Sequence, residues 1–135
     1  MILADSSAWV EYDRATGSPV HRRLRQLLDD DQELACTEPV IMEVVAGARD
    51  DARALSLRRL LWRAHLLPFH ATIDFEGALR IFRHCRAKGI TPRNFVDCMI
   101  ASVASRQGAA VLAHDVDFSR IASVIDLRLD EASVR

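Results

Sequence analysis

Very short apolar runs alternate with longer amphipathic stretches along this chain, and that alternation leaves few folds open to it. Ile2-Leu3-Ala4, Leu34-Ala35-Cys36, Leu66-Leu67-Pro68-Phe69 and residues 109–113 read as strands. The proline in the third suggests an edge position. Between them lie helical patterns. One runs from Ser6 to about Arg14. Ser18, with Pro19 at the first helical position, opens another that reaches about Asp30 and gathers Val20, Leu24, Leu27 and Leu28 on one face. Thr37 caps a third, with Pro39 in its first turn, which ends near Gly47; Asp50 starts a fourth with the stripe Ala54, Leu57, Leu60 and Leu61. A long helix spans about Thr72 to Lys88 and stops at Gly89, and Asn94 opens the next, which ends before Gly108. Val124-Ile125-Asp126-Leu127 reads as a weak fifth strand. Apolar strands separated by helices imply parallel βαβ units, hence a three-layer α/β/α sandwich on a mostly parallel four- to five-stranded sheet. Pattern alone does not set the strand order.

At 135 residues, half of them hydrophobic, the chain suits one domain over 1–135 with a real core. A net charge of −1 gives no overall attraction for nucleic acid, so any such contact must be local. The positive charge is almost all arginine, Lys88 being the only lysine. Cys36, Cys85 and Cys98 lie among apolar neighbours without metal-binding spacing and read as reduced thiols, which suits a cytoplasmic location. No basic leader precedes the first strand, and no apolar run is long enough for a membrane span.

Four carboxylates stand against apolar runs. Asp5 closes the first strand, Glu43 interrupts Val40-Ile41-Met42-Glu43-Val44-Val45, Asp97 enters Phe95-Val96-Asp97-Cys98-Met99-Ile100, and Asp115 follows the fourth strand. An ionised carboxylate beside a core is costly unless a cation or several donors compensate it. In open parallel sheets, sites form beyond the carboxyl ends of the strands, where strand order reverses. If the first and fourth strands are neighbours, Asp5 and Asp115 face each other there. Asp97, in the first turn of a helix running into the fourth strand, lies at the same edge.

Each acid has a plainer explanation. Asp5 alone reads equally well as a helix cap, Asp97 better as the acid of a capping box begun by Asn94, and Asp115 better as a turn residue. Glu43 resists, being too far inside its helix to cap it. Together, the four point to a shared cation, and oxygen-only ligands favour Mg²⁺ or Mn²⁺ over Zn²⁺. The histidines form no zinc set, and no Ser/His pairing supports a hydrolase triad. Two other classes fit less well. A phosphoryl-transfer or receiver-like domain also places Asp after strand one, but this chain lacks an Asp-x-Asp there and has almost no lysine to hold a phosphoryl group. A catalytically silent binding module would use the acids only to dock a basic partner.

The pattern resembles the PIN-domain ribonucleases, and within them the VapC-type toxins of bacterial toxin–antitoxin pairs. The matching pieces are Asp5-Ser6-Ser7-Ala8-Trp9, Glu43 in Glu-Val-Val-Ala-Gly, Asp97-Cys98-Met99-Ile100-Ala101-Ser102, and Leu112-Ala113-His114-Asp115-Val116-Asp117-Phe118. They occur in the family's order and spacing. The resemblance implies an Mg²⁺-dependent endoribonuclease, with Mn²⁺ able to substitute, whose metal activates water for in-line attack on a phosphodiester. By that analogy Asp5 and Asp97 are direct ligands. Glu43 and Asp115 hold waters on the metal or a second ion, one of them acting as base. Asp117 competes with Asp115 for the fourth acidic position, or else caps the helix starting at Phe118. Ser6 supports Asp5 by a hydrogen bond. Val96 stands where the family often has a polar residue, and Asn94 takes over that support. Arg93 and Lys88, with Arg86 and Arg14 behind them, are the candidates to draw RNA to a negative site. The resemblance further implies a cognate VapB-like antitoxin and a homodimer, with Trp9, Tyr12 and Leu57 to Trp62 as contact candidates.

Overall fold

The computed structural model describes residues 1–30 and 33–135. Its strands are β1 (Ile2–Ala4), β2 (Leu34–Cys36), β3 (His65–Leu66) and β4 (Ala110–Leu112). The helices are α1 (Ser6–Asp13), α2 (Pro19–Asp29), α3 (Glu38–Ala46), α4 (Asp51–Leu61), α5 (Ile73–Ala87), α6 (Phe95–Gln107) and α7 (Val116–Ala122). Every side chain of β1 and β2 is buried, so both need cover on two faces and sit inside the sheet. The order is β3-β2-β1-β4, and every pairing is parallel. Leu3 stands opposite Ala35 on one side and Val111 on the other.

From β1 the chain steps outward through β2 to β3, then crosses back past β1 to form β4. Strand order therefore reverses between β1 and β4, the arrangement that opens a crevice beyond their carboxyl ends. The return crossover is α5 and α6, packed antiparallel. Arg106 near the end of α6 pairs with Asp74 near the start of α5 at 2.7 Å, while Phe82 and Phe95 meet at the other end, ring centroids 4.8 Å apart. This packing depends on Gly77, where an added Cβ would lie 2.2 Å from Ser102 Oγ. Helix α6 buries Cys98, Ile100, Ala101, Val103 and Ala104 completely and forms the centre of the core.

Three local expectations need correction. The weak fifth strand at 124–127 does not form: Val124 and Ile125 bond back to Ile121 and finish the turn after α7. The chain reaches β4 only later, in an isolated parallel bridge between Val111 and Leu129. There Val111 N–H donates to Arg128 O and Asp130 N–H donates to Val111 O, which covers the sheet edge. The third strand is His65–Leu66 rather than 66–69. It lies at the edge, as its proline suggested, and its ladder ends where Leu67 N–H reaches Cys36 O, because Pro68 has no N–H to continue it. Thr37 occupies the cap position of α3 but makes no capping bond. Pro39 removes one of the N–H groups a cap would accept from, and Thr37 Oγ1 is buried with no hydrogen-bond partner among the described residues.

Candidate active site

Beyond the ends of β1 and β4 lies a cleft of about 370 Å³ lined by Asp5, Ser6, Ser7, Glu43, Arg93, Asn94, Asp97, Asp115 and Asp117. Five of its nine residues are acidic. Asp5 leaves β1 in an extended conformation and becomes the N-cap of α1. Its Oδ2 accepts from Ser7 N–H at 3.0 Å and from Ser7 Oγ at 2.6 Å. The capping explanation thus holds for one oxygen only. Oδ1 is buried and has no hydrogen-bond partner among the described residues, an expensive state for an anionic oxygen unless something else completes it.

Glu43 is the sixth residue of α3 and is pinned from two directions. Ser6 Oγ donates to its Oε1 at 2.6 Å, and Asn94 Nδ2 donates to its Oε2 at 3.3 Å. The hydroxyl that supports Asp5 is therefore that of Ser7, not Ser6. Ser6 lies one residue earlier on α1, turned by about 100° about the helix axis, and faces α3 instead. Ser7 also accepts from His114 N–H at 2.9 Å, tying the end of β1 to the loop after β4. The signal for Ser7 was its place two residues after an Asp, the spacing of a side chain that closes a local turn.

Asn94 caps α6 through Oδ1, which accepts from Val96 N–H at 2.9 Å. Asp97 lies in the first turn of that helix, 6% exposed, and accepts no hydrogen bond from the described residues. Asp115, not Asp117, caps the helix after β4: its Oδ1 accepts from Asp117 N–H at 2.9 Å. Asp117 is buried at 1% exposure and turned inward. Its Oδ2 accepts from Arg93 Nε at 2.9 Å and its Oδ1 from Arg120 Nη1 at 3.1 Å, while Arg93 Nη2 also donates to Asp115 Oδ1 at 3.0 Å. Carboxylate oxygens of Asp97, Asp115 and Asp117 lie within 4.8 Å of one another.

Of the four cations expected to draw RNA, only Arg93 lines the cleft, and Arg86 is exposed on the last turn of α5. Lys88 caps α5 at the exposed surface, and Arg14 lines a neighbouring cleft between α1 and the α3–α4 pair that shares Glu43. Trp9 is core, whereas Trp62 is 62% exposed.

The electrostatics follow from this crowding. Burial, with Glu43 adding repulsion, raises Asp5 to about 6 against its hydrogen bonds from Ser7. Burial first, then the charges of Asp5, Asp115, Glu43 and Asp117, raise Asp97 to about 8. For Asp117, burial is outweighed by the hydrogen bonds and charge of Arg93, which hold its carboxyl below the usual range. Burial pushes the thiols of Cys36 and Cys98 up to about 12, so neither serves as a nucleophile at neutral pH. Two carboxyls that would rather be neutral, one with an orphaned buried oxygen, and a donor set of carboxylate oxygens fit a hard divalent cation.

The PIN domain family matches residues 2–124. Ribonuclease VapC11 of Mycobacterium tuberculosis is 43% identical over 129 residues, covering 95% of this chain and 96% of that protein. VapC ribonuclease Mb1587 of Mycobacterium bovis matches to the same extent. Among solved structures, DNA-bound VapBC from Salmonella typhimurium superposes with a TM-score of 0.76 at 19% identity over 96% of each chain. The sarcin–ricin-loop-cleaving toxin VapC20 of M. tuberculosis gives 0.68 at 21% identity, over 95% of this chain and 99% of that one. At those identities the superpositions establish the shared fold, and the sequence match establishes kinship: this chain belongs to the PIN-domain family, among the VapC ribonucleases.

Proposed function

We propose that residues 1–135 form a single PIN domain that acts as the Mg²⁺-dependent endoribonuclease toxin of a toxin–antitoxin pair in the cytoplasm. The observation that carries this reading is the buried, unpartnered Asp5 Oδ1 facing a cleft it shares with Asp97, at the point where strand order reverses. Kinship to proteins named VapC ribonucleases supplies the substrate class. The neighbouring VapBC complexes support a VapB-type antitoxin as partner; a homodimer is the expected assembly.

Asp5 and Asp97 are the ligands in this reading. When bound, the divalent cation lowers the pKa of water and offsets charge gathering on the scissile phosphate; Mn²⁺ substitutes for Mg²⁺. Glu43, held by Ser6 and Asn94, is oriented to take the proton as water forms the new P–O bond and the bond to the departing sugar oxygen breaks. Asp115 and Asp117 close the far side of the cleft. A polyanion is drawn toward this acidic pit by local basic charge. No Asp or Glu occurs between Glu76 and Asp97, a stretch that holds Arg80, Arg83, Arg86, Lys88 and Arg93. Because α5 runs antiparallel to α6, its last turns flank the turn that carries Asp97. Arg14 adds charge from the adjoining cleft.

Incubation of purified protein with structured RNA, with and without Mg²⁺, tests the reading. Cleavage that requires Mg²⁺ and disappears in Asp5→Asn, with circular dichroism unchanged, is expected. Metal-independent cleavage would reject the mechanism, and RNA binding without cleavage would favour the silent module.

A further inference from the structure

The acidic cleft is divided into two electrostatically different halves. On one side, Asp5 Oδ1 has no partner and Asp97 accepts no hydrogen bond from the described residues. On the other, Asp115 and Asp117 are already engaged by a cation. Arg93 donates Nε and, more weakly at 3.4 Å, its backbone N–H to Asp117 Oδ2, and it donates Nη2 to Asp115 Oδ1. The other oxygen of Asp117 is taken by Arg120. Among the described residues, carboxylate oxygens of Asp97, Asp115 and Asp117 lie close enough together to bind an ion, and two of those three carboxylates bond to the Arg93 guanidinium.

A planar guanidinium with donors in a fixed fork can neutralise two adjacent carboxylates at once. It does so here from a backbone that is itself tethered, since the Arg93 N–H bonds the same carboxylate and Pro92 precedes it. An ion entering beside Asp115 and Asp117 would have to displace that guanidinium and would face its charge at close range.

Resting on the reading of the cleft as a metal site, we infer that Arg93 supplies the second positive charge of the centre, so that the cleft takes one divalent ion, at Asp5 and Asp97. Asp115 and Asp117 then serve as the counter-charge that positions Arg93 beside the scissile phosphate. Removing the guanidinium opens a second ion position among Asp97, Asp115 and Asp117. Arg93 is a positioning residue for metal stoichiometry as well as a contact for phosphate.

Counting bound Mn²⁺ by calorimetric titration and by electron paramagnetic resonance of the free ion tests this without reference to activity. The wild type should bind one Mn²⁺ per chain, Arg93→Ala two, and Arg93→Lys one. Arg93→Gln, which keeps hydrogen-bond donors and removes the charge, should also bind two and covers the event that the alanine variant unfolds. Two ions in the wild type, or one in both charge-deleted variants, would overturn the inference while leaving a metal site in place. No ion in the wild type would remove the metal reading itself and the inference with it. Asp97→Asn serves as the control, since it should lose the wild-type ion.

Discussion

Ser6 Oγ donates to Glu43 Oε1 at 2.6 Å, joining the first turn of α1 to the middle of α3 across 37 residues of chain. This bond fixes a carboxylate that would otherwise rotate about three side-chain torsions on a half-buried surface. Ser6→Ala should lower cleavage roughly tenfold, the effect of one lost hydrogen bond to a charged group, and should leave Mn²⁺ affinity nearly unchanged. Ser7→Ala should do the reverse. It removes a direct donor to Asp5, pushes that carboxyl further toward its protonated form, and so weakens Mn²⁺ binding at pH 7. Paired kinetics and Mn²⁺ titrations on the two variants separate the effects.

The raised carboxyls give the metal-free protein a definite response to pH. Asp97 at about 8 and Asp5 at about 6 hold protons in the folded state that the unfolded chain releases near pH 4. The folded state therefore binds more protons between those limits. Stability falls as pH rises from about 4 through the folded pKa values. Without metal, the melting temperature should drop from pH 5 to pH 8. Asp97→Asn should flatten that slope and stabilise the metal-free protein at pH 8. Excess Mg²⁺ should also flatten it, because the ion replaces the protons. Thermal melts across that range, with EDTA and with Mg²⁺, check all three outcomes.

Exposed cations on the last turns of α5 should govern RNA affinity, not chemistry. Replacing Arg86 and Lys88 with glutamate should weaken binding of RNA to the inactive Asp5→Asn protein. The slope of log affinity against log salt should fall by about 0.7 for each phosphate that is no longer neutralised. Mn²⁺ binding should not change. An unaltered slope would show that RNA approaches from another side.

Gly77 sets how closely α5 approaches α6. Its replacement by alanine places a methyl group against Ser102, whose hydroxyl donates to Asp74 at 2.8 Å inside the core. Gly77→Ala should cost about 1–3 kcal/mol, as overpacking does, measured by denaturant unfolding. Gly17, with nothing within 4 Å of an added Cβ, carries no such clash and is a contrast site, its φ of 76° leaving only backbone strain.

The elements that position the cleft were legible where chemistry is local. Ile2-Leu3-Ala4 could only be a doubly buried strand, and Ser18-Pro19, Asp50 and Asn94 each began a helix where they stand. The neighbour relation of β1 and β4 was not legible, because it pairs Ile2 with Ala110 and is decided by the packing of α5 and α6 between them. The failed fifth strand has a similar origin. Val124 and Ile125 are β-branched enough to suggest a strand, yet the end of α7 claims their N–H groups first. At the cleft, the acids could be identified because carboxylates against apolar runs are conspicuous. Their hydrogen-bond partners could not. The exchange of roles between Ser6 and Ser7 depends on the rotation of α1. That between Asp115 and Asp117 depends on an arginine 22 and 24 residues earlier, which sequence spacing does not relate to either acid.

Whether Asp5 and Asp97 converge on a divalent cation is decided most directly by anomalous scattering from a crystal soaked in Mn²⁺. A single peak within coordination distance of Asp5 Oδ1 and an Asp97 oxygen, with Arg93 still on Asp115 and Asp117, is the predicted result. Absence of any peak in the cleft at saturating Mn²⁺, or a peak that Asp5 does not touch, would contradict a metal centre built on these two residues.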